Sequence, residues 1–554
     1  MEKIWLKHYP EEVPESADYP DVPIFYFLDE ATSKFPEKTS MIFVGKKMSY
    51  FELYDAVLRV ANALIDLGVE KGDRVSIFMP NCPQAVISYF AIQKAGGIVV
   101  ETNPLYVERE LEYQLQDAGA NMVITLDLKM LYPKVQALRD KVPLKTVIVG
   151  SLSEYLPFPK NILYPVVRRR DRAPVLRGEG TFLFKDLLST YPPRDPKIAV
   201  DADDCAVLLY TGGTTGVPKG VTLTHKNLVA NCVQGFHWLY KAEYAGEIIL
   251  AALPLFHSFG HTCCLNFAVY AASTLVLIPD PRDTKDILEN IQKHRGTMVP
   301  GVPAMYVNMI SYPRLKDYDL SSVKYCFSGA APMPVEVLEK FEALTGGVIL
   351  EGFGMTETSP VTHINPLTGR RKVGSIGLPI SDTDCRIVDL RTGEREVPVG
   401  EVGEMVVRGP QVMKGYWNDA EETAKVLREG WMYTGDIARM DEEGYFYIVG
   451  RKKDMIISSG FNVYPREIEE VLFEHPQIKE ASVIGIPDQK RGEAVKAFIV
   501  LKEGEQATAE EIIRFCKENL AAYKVPTSIE VVETLPKSMV GKVLRRKLRE
   551  NQED

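Results

Sequence analysis

The sequence predicts an α/β fold in two parts. Residues 1–450 read as a large N-terminal domain of parallel-rich sheets covered by helices, and residues 451–554 as a small α+β C-terminal domain. Three observations predict this. Helix and strand patterns alternate through the first half, which is how parallel strands with crossover helices read. A length of 554 residues exceeds one ordinary hydrophobic core. The last stretch changes character, to short strands mixed with two charged amphipathic helices.

Taken in order, Ser49 and Glu52 form a capping box ahead of Leu53, Ala56, Val57, Val60, Ala61 and Leu64. That spacing is one face of a helix, which Gly68 stops. Residues 74–79 and 122–126 read as buried strands, with a helical pattern around 85–95 between them. Residues 248–279 carry no Asp, Glu, Lys or Arg, a run long enough to span a bilayer. Pro254 would break a helix near its start, and His257, His261 and Asn266 follow, so it reads as buried strand, loop and helix of a folded core. Further on, 481–486, 495–501 and 528–532 read as strands, and Thr508 with Glu511 caps the second charged helix. The charged stretch Gly450-Arg-Lys-Lys-Asp454 marks the domain boundary.

Composition is that of an ordinary globular protein, 45% hydrophobic and 25% charged. A net charge of −10 argues against nucleic acid as a partner. The eight Cys show no metal-site spacing and read as free thiols of a reducing, cytoplasmic compartment. The first residues lack the apolar run of a secretory signal.

Two distant segments carry the chemistry. The loop Tyr210-Thr-Gly-Gly-Thr-Thr-Gly-Val-Pro-Lys-Gly220 offers backbone N–H groups, hydroxyls and one cation, which suit a polyphosphate. It is not a Walker A loop, because Lys219 is followed by Gly220 and a strand pattern over 221–224 instead of a helix. Alone, so short a Gly/Thr run reads equally well as a turn. The second segment is basic, Leu535-Pro-Lys-Ser-Met-Val-Gly-Lys-Val-Leu-Arg-Arg546. With Gly352-Phe-Gly-Met-Thr-Glu-Thr358, which follows a strand pattern as ligand loops of α/β folds do, these segments resemble the adenylate-forming superfamily of acyl-CoA synthetases, luciferases and adenylation domains. Within it the chain resembles bacterial long-chain fatty-acid–CoA ligases along nearly its whole length. Gly460-Phe-Asn-Val-Tyr-Pro-Arg-Glu-Ile-Glu469 and Ala522-Tyr-Lys-Val-Pro526 extend the likeness.

The resemblance implies ATP, Mg²⁺ and CoA, a long-chain fatty acid as substrate, and a mobile C-terminal domain. It implies that Thr211, Gly212, Gly213, Thr214, Thr215, Gly216 and Lys219 wrap the β- and γ-phosphates. Gly329, Ala330 and Ala331 would line the adenine side, with Gly352, Phe353, Gly354 and Met355 beyond. Thr356 would bond the α-phosphate and Glu357 hold Mg²⁺, a hard cation that prefers carboxylate oxygen. Asp436 would accept from both ribose hydroxyls, beside Arg451; an Asp after Gly also reads as a turn residue. Lys542 would bridge the carboxylate and the α-phosphate, while Arg545, Arg546 and Lys547 read as a solvated basic face. Lys453 matches a hinge and equally fits an exposed loop charge. Ser459, Gly460 and Phe461 would line the CoA channel.

For the acyl chain the resemblance points to Phe256, Phe259, Gly301 and Val302 as apolar wall, with His257 near the carboxylate or in a structural role. His261 stands where some relatives carry a bulky aromatic gate. Residues 155–178 hold six Lys or Arg against one Asp, a local charge of +5, beside aromatic and aliphatic residues. They fit contact with an anionic membrane or a solvated linker, and three prolines before the arginines argue against a regular helix. A homodimer stays open as a partner, with no pattern pointing to it. Medium-chain or aryl acids, an acyl-AMP ligase without CoA transfer, and a silent binding module are the alternative functions.

Overall fold

The computed structural model describes residues 3–176, 178, 180–212, 217–458, 461–488, 491–538 and 543–550. The chain packs as two compact units, one of residues Tyr9–Thr383 and Arg408–Gly430, the other of Met1–His8, Asp384–Val407 and Trp431–Asp554. These units do not divide at 450. Strands Asp384–Val388, Gly403–Arg408, Trp431–Met440 and Phe446–Arg451 join in one sheet, so most of the polypeptide from 384 to 407 and from 431 to 450 packs with the C-terminal residues.

Two sheets organise the larger unit. In one, strands Arg74–Phe78, Met122–Leu126, Thr146–Gly150 and Ile98–Glu101 run parallel, as the alternating pattern predicts. Helix Tyr50–Asp66 begins at the predicted capping box, with Ser49 Oγ accepting from Glu52 N at 3.1 Å and Glu52 Oε2 accepting from Ser49 N at 2.7 Å. Every residue of helix Pro83–Lys94 is buried, so it is a central element without a polar face. The stretch 248–279 forms strand Ile248–Ala251, a short helix and π-helical turn, and strand Thr274–Leu277. No helix among the described residues is long and apolar enough to cross a membrane.

The second sheet sets up the site. Strands Ile248–Ala251, Met298–Gly301, Tyr325–Ser328 and Val348–Gly354 lie side by side and parallel, in that spatial order. Their carboxyl ends lead toward Leu255–Phe259, Val302, Gly329–Ala331 and Met355–Thr358, all within segments singled out by sequence. A parallel sheet places its strand ends along one edge, where ligands of such folds bind.

In the smaller unit, strands Ile478–Asp488 and Gly492–Leu501 form a long antiparallel pair, with Ser528–Val531 parallel to the latter. Helices Pro465–Phe473 and Ala509–Asn519 cover them over a core that includes Ile468, Leu472, Val483, Val495, Ile499 and Ile512. The Thr508–Glu511 capping box opens the second helix as predicted. The N-terminal turn packs here too, with Trp5 edge-on to Phe446 at 6.1 Å.

Candidate active site

The Gly/Thr loop joins the two strands of a hairpin, Cys205–Gly212 and Pro218–Thr224, with Thr211 opposite Lys219 and Gly212 opposite Pro218. A strand, not a helix, follows the loop, so the departure from a Walker A loop read in the sequence is real. Helix Glu108–Ala118 pins the base of the hairpin: Tyr210 donates its hydroxyl to Asp117 Oδ2 at 2.6 Å, and Tyr113 donates to the Pro218 carbonyl at 3.0 Å. Gly213, Thr214, Thr215 and Gly216 lie outside the described residues, as do Ser459, Gly460 and Lys542.

Tyr416 connects the loop to the Glu357 carboxylate. The two-residue strand Gly415–Tyr416 pairs with Thr222 and Val221, which sets Tyr416 beside the hairpin. Its hydroxyl donates to Glu357 Oε1 at 2.9 Å, and Lys219 Nζ sits 5.3 Å from the centre of its ring. Burial, followed by the Glu357 carboxylate, pushes the phenol well above its ordinary range, so it stays protonated and donating. Lys219 also pairs with Glu422, whose carboxyl is held below its usual range first by that bond and then by Lys425. One cation, two carboxylates and a phenol therefore form a single cluster. An incoming phosphate would meet a lysine already held in place by Glu422 and by the ring.

Glu357 is 8% exposed, at the 3₁₀ turn Thr356–Thr358, and its carbonyl accepts from Met413 N at 2.8 Å. Thr356 Oγ1 lies 3.2 Å from Ser258 Oγ, which ties the turn to the segment carrying His257 and Phe259. Close backbone approach explains the glycine before this turn. A Cβ on Gly354 would lie 2.1 Å from the Pro360 carbonyl oxygen. Gly329 is open to Phe259: a Cβ there would sit 3.4 Å from Phe259 Cε1 and 3.6 Å from the Gly352 oxygen. The predicted adenine strip and acyl wall thus adjoin. Ala330 and Ala331 are exposed beyond them, while Phe353 and Met355 are half-buried.

His257 caps the short helix Ser258–Gly260, its Nδ1 accepting from Phe259 N at 3.3 Å. The structural role weighed for it is therefore present, and the bond fixes the ring beside Thr356's partner Ser258. Phe256 is half-buried next to it. Val302 is buried at the mouth of the neighbouring strand, and a Cβ on Gly301 would lie 3.2 Å from the Tyr306 ring. His261 is fully buried, edge-on to Tyr89 at 4.8 Å, with Nδ1 3.2 Å from Asn266 Nδ2. Burial depresses its pKa to about 3, so the ring is neutral at physiological pH.

The smaller unit carries the other candidates. Asp436 and Arg451 are opposite residues of one antiparallel pair, and Arg451 Nε donates to Asp436 Oδ1 at 3.0 Å. The two predicted nucleotide contacts are thus one ion pair, with Asp436 2% exposed. Lys453 is exposed on the 3₁₀ turn Lys452–Asp454. Phe461 is exposed and stacked on Tyr523 at 4.6 Å.

Arg545 corrects the sequence reading. Arg546 and Lys547 are exposed as expected, but Arg545 is held between acids: its Nη2 donates to both oxygens of Glu469 at 2.7 and 2.6 Å, and its Nη1 to Asp454 at 3.3 Å. Glu469 is itself buried against the backbone N–H of Val483 at 2.8 Å. The reason is geometric: the helix Arg545–Glu550 turns one basic residue inward while its neighbours face water. Arg545→Ala should destabilise this unit by about 3–5 kcal/mol, since it leaves buried carboxylates uncompensated. Denaturant unfolding checks this, and a loss under about 1 kcal/mol would make the pair a surface contact.

Sequence reasoning missed Tyr416 and Glu422. Glu422 follows an Asp419 N-cap in the first turn of helix Ala420–Val426, where an acid is expected for the helix alone. Tyr416 has no local motif, and only the pairing with Val221 and Thr222 reveals it.

The oxygen donors fit Mg²⁺. That ion binds through one or two carboxylates and completes its shell with water and phosphate oxygen; Glu357 is the carboxylate that could hold it. No group of three or more His, Cys, Asp or Glu suited to a metal occurs among the described residues.

Residues 28–417 match the model of the AMP-binding enzyme family, and 467–542 match that of the AMP-binding enzyme C-terminal domain. The chain is 46% identical over 561 residues to a long-chain-fatty-acid–CoA ligase of Bacillus subtilis, covering 100% of this chain and 98% of that one. It superposes on ATP-bound MatB from Rhodopseudomonas palustris with a TM-score of 0.84 at 31% identity, over 96% of this chain and 99% of that one. It is equally similar to the anthranilate CoA ligase AuaEII in complex with anthranoyl-AMP, with a TM-score of 0.85 at 28% identity over 96% and 98% of the two chains. By the reach of these matches, from the loop hairpin to the C-terminal unit, the chain belongs to the AMP-binding enzyme family.

Proposed function

We propose that this chain is an ATP-dependent long-chain fatty-acid–CoA ligase. A fatty-acid carboxylate oxygen attacks the α-phosphorus of ATP; the α–β phosphoanhydride bond breaks and pyrophosphate leaves. The CoA thiolate then attacks the carbonyl carbon of the acyl-AMP, the bond to the phosphate oxygen breaks, and AMP departs. The observation that carries this reading is the Lys219–Tyr416–Glu357 cluster beside four parallel strand ends, in a chain similar throughout to a fatty-acid ligase.

In this reading the 211–216 loop and Lys219 hold the terminal phosphates, and Thr356 orients the α-phosphate. Glu357 would hold Mg²⁺, which would offset the polyphosphate charge when bound. Gly329–Ala331 and Gly352–Met355 border the adenine, while Asp436, fixed by Arg451, receives the ribose. Phe256, Phe259, Gly301 and Val302 wall the acyl chain, with His257 near its carboxylate and His261 deeper as a neutral packing residue. Lys542 neutralises the two anions as they meet. Residues 451–554 act as a lid turning about Lys453, which exchanges Lys542 for Ser459, Gly460 and Phe461 along the CoA path. Each buried methylene contributes about 0.8 kcal/mol, so chain length is discriminated by the depth of apolar wall. A homodimer, and an anionic membrane met through 155–178, complete the proposed partners.

Pyrophosphate release with palmitate, octanoate and benzoate, with and without CoA, tests this. Fast CoA-dependent turnover on palmitate is expected. Preference for octanoate or benzoate would reassign the substrate. Release without thioester would make the chain an acyl-AMP ligase, and no release on any acid would remove the enzyme reading.

A further inference from the structure

Residues 160–167 do form a helix, Lys160–Val167, despite the prolines around it and Pro165 within it. The sequence argued against this. Two of the three prolines precede the helix or open it, where no intrahelical N–H is needed.

The helix has its apolar stripe on the wrong side. None of its residues is buried. Ile162 and Val166 are spaced by four, as are Leu163 and Val167, so these four share one face. That face is in solvent, with Ile162 63%, Val166 74% and Val167 72% exposed, and Phe158, just before the helix, is 80% exposed. Asn161, Tyr164 and Pro165, between them, are the half-buried residues. A helix packed only on its own domain shows the reverse. Both ends are anchored: Tyr155 and Leu156 are buried before it, and after it Arg172 donates twice to the buried Asp127, at 2.8 and 2.6 Å. Arg168, Arg169 and Arg170 follow the stripe directly, all exposed. Arg168 pairs with Asp171 at 3.2 Å, while no carboxylate pairs with Arg169 or Arg170 among the described residues.

We propose that this face docks on an anionic lipid bilayer, with Phe158, Ile162, Leu163, Val166 and Val167 entering the acyl-chain boundary and Arg168–Arg170 contacting headgroup phosphates. Charge complementarity selects the occupant. An apolar stripe alone suits any greasy partner, but consecutive arginines at its edge, in a chain of net charge −10, match a negatively charged interface. The proposal deepens the membrane contact read above for 155–178 by naming its surface; its observations do not depend on the ligase chemistry, to which it adds access to a substrate that dissolves in bilayers.

Co-sedimentation of the full chain with vesicles of phosphatidylglycerol and phosphatidylcholine tests it, against vesicles of phosphatidylcholine alone. Binding to the anionic vesicles that weakens with salt is expected. Arg169→Glu with Arg170→Glu should lower it at least about 30-fold, since each basic residue near such a surface contributes roughly a factor of five. Ile162→Asp with Val166→Asp should lower it at least about tenfold. All four positions are exposed, so turnover of soluble octanoate should not change, and an unchanged unfolding midpoint certifies the fold. No wild-type binding, equal binding to phosphatidylcholine, or unaltered binding of either variant would overturn the proposal. So would sedimentation velocity without lipid showing that the variants convert a dimer to monomer, because the stripe would then be a self-association face.

Discussion

Lys542→Ala is expected to slow palmitate-dependent acyl-adenylate formation about 10²–10³-fold, as losing one preorganised donor to a developing anion does. The carboxylate and the α-phosphate repel as they approach, and a lysine between them cancels charge in the transition state more than in either ground state. The loss should therefore fall on the rate, with the KM values for ATP and palmitate little moved. Thioester formation from supplied palmitoyl-AMP and CoA should change little, because the proposed lid exchange takes Lys542 out of the site before the CoA thiolate attacks. The flanks of this residue are well held: Lys537 and Val543 form an isolated antiparallel bridge, and Leu544 N donates to the Pro536 carbonyl at 2.8 Å. Adenylation within a few-fold of wild type, with intact folding, would remove Lys542 from the mechanism. Equal loss in both half-reactions would make its role structural.

Lys542 enters through a resemblance carried by a local motif, and the signals for most of the fold are local as well. Ser49 with Glu52 and Thr508 with Glu511 announce their helices within one turn, and buried strands such as Met122–Leu126 appear as continuous apolar runs. The glycines at 352 and 354, which entered through the resemblance, stand where backbone passes close to backbone, a Cβ meeting the His363 oxygen at 3.0 Å and the Pro360 oxygen at 2.1 Å. What escaped depends on partners far away in sequence. Tyr416 meets Glu357 across 59 residues, Lys219 meets Glu422 across 203, and Arg545 meets Glu469 across 76. Arg545, Arg546 and Lys547 look alike in a sequence, and only the helix direction tells which one turns inward. The grouping of 384–407 and 431–450 with the C-terminal residues was not legible for the same reason, since it rests on packing between segments distant in sequence. Helix Lys160–Val167 escaped because three prolines argued against it, although two of them precede the helix or open it.

Glu357→Gln separates charge from shape in the Lys219–Tyr416–Glu357 cluster, and it should lower adenylation about 10²-fold or more at a fixed, moderate Mg²⁺ concentration. Gln keeps the size of Glu and an oxygen that accepts the Tyr416 hydroxyl, so the 3₁₀ turn at 356–358 and the bond now at 2.9 Å should persist. What disappears is the negative charge a hard divalent cation requires. The defect should hence ease as Mg²⁺ is raised, with half-saturation displaced upward, whereas a purely structural defect would be indifferent to the metal. Tyr416→Phe offers the complementary test. It leaves the carboxylate charged but removes the hydroxyl that orients it, and a support of that kind typically costs about 10–100-fold in metal affinity or activity. Phe keeps the ring beneath Lys219, so the loss reports the hydroxyl alone. If Glu357→Gln kept the wild-type Mg²⁺ dependence, the cation would have to be held elsewhere and the cluster around Tyr416 would serve only to position Lys219. If both variants shift the Mg²⁺ requirement in the same direction, with the glutamine the more severe, the carboxylate holds the metal and the tyrosine holds the carboxylate.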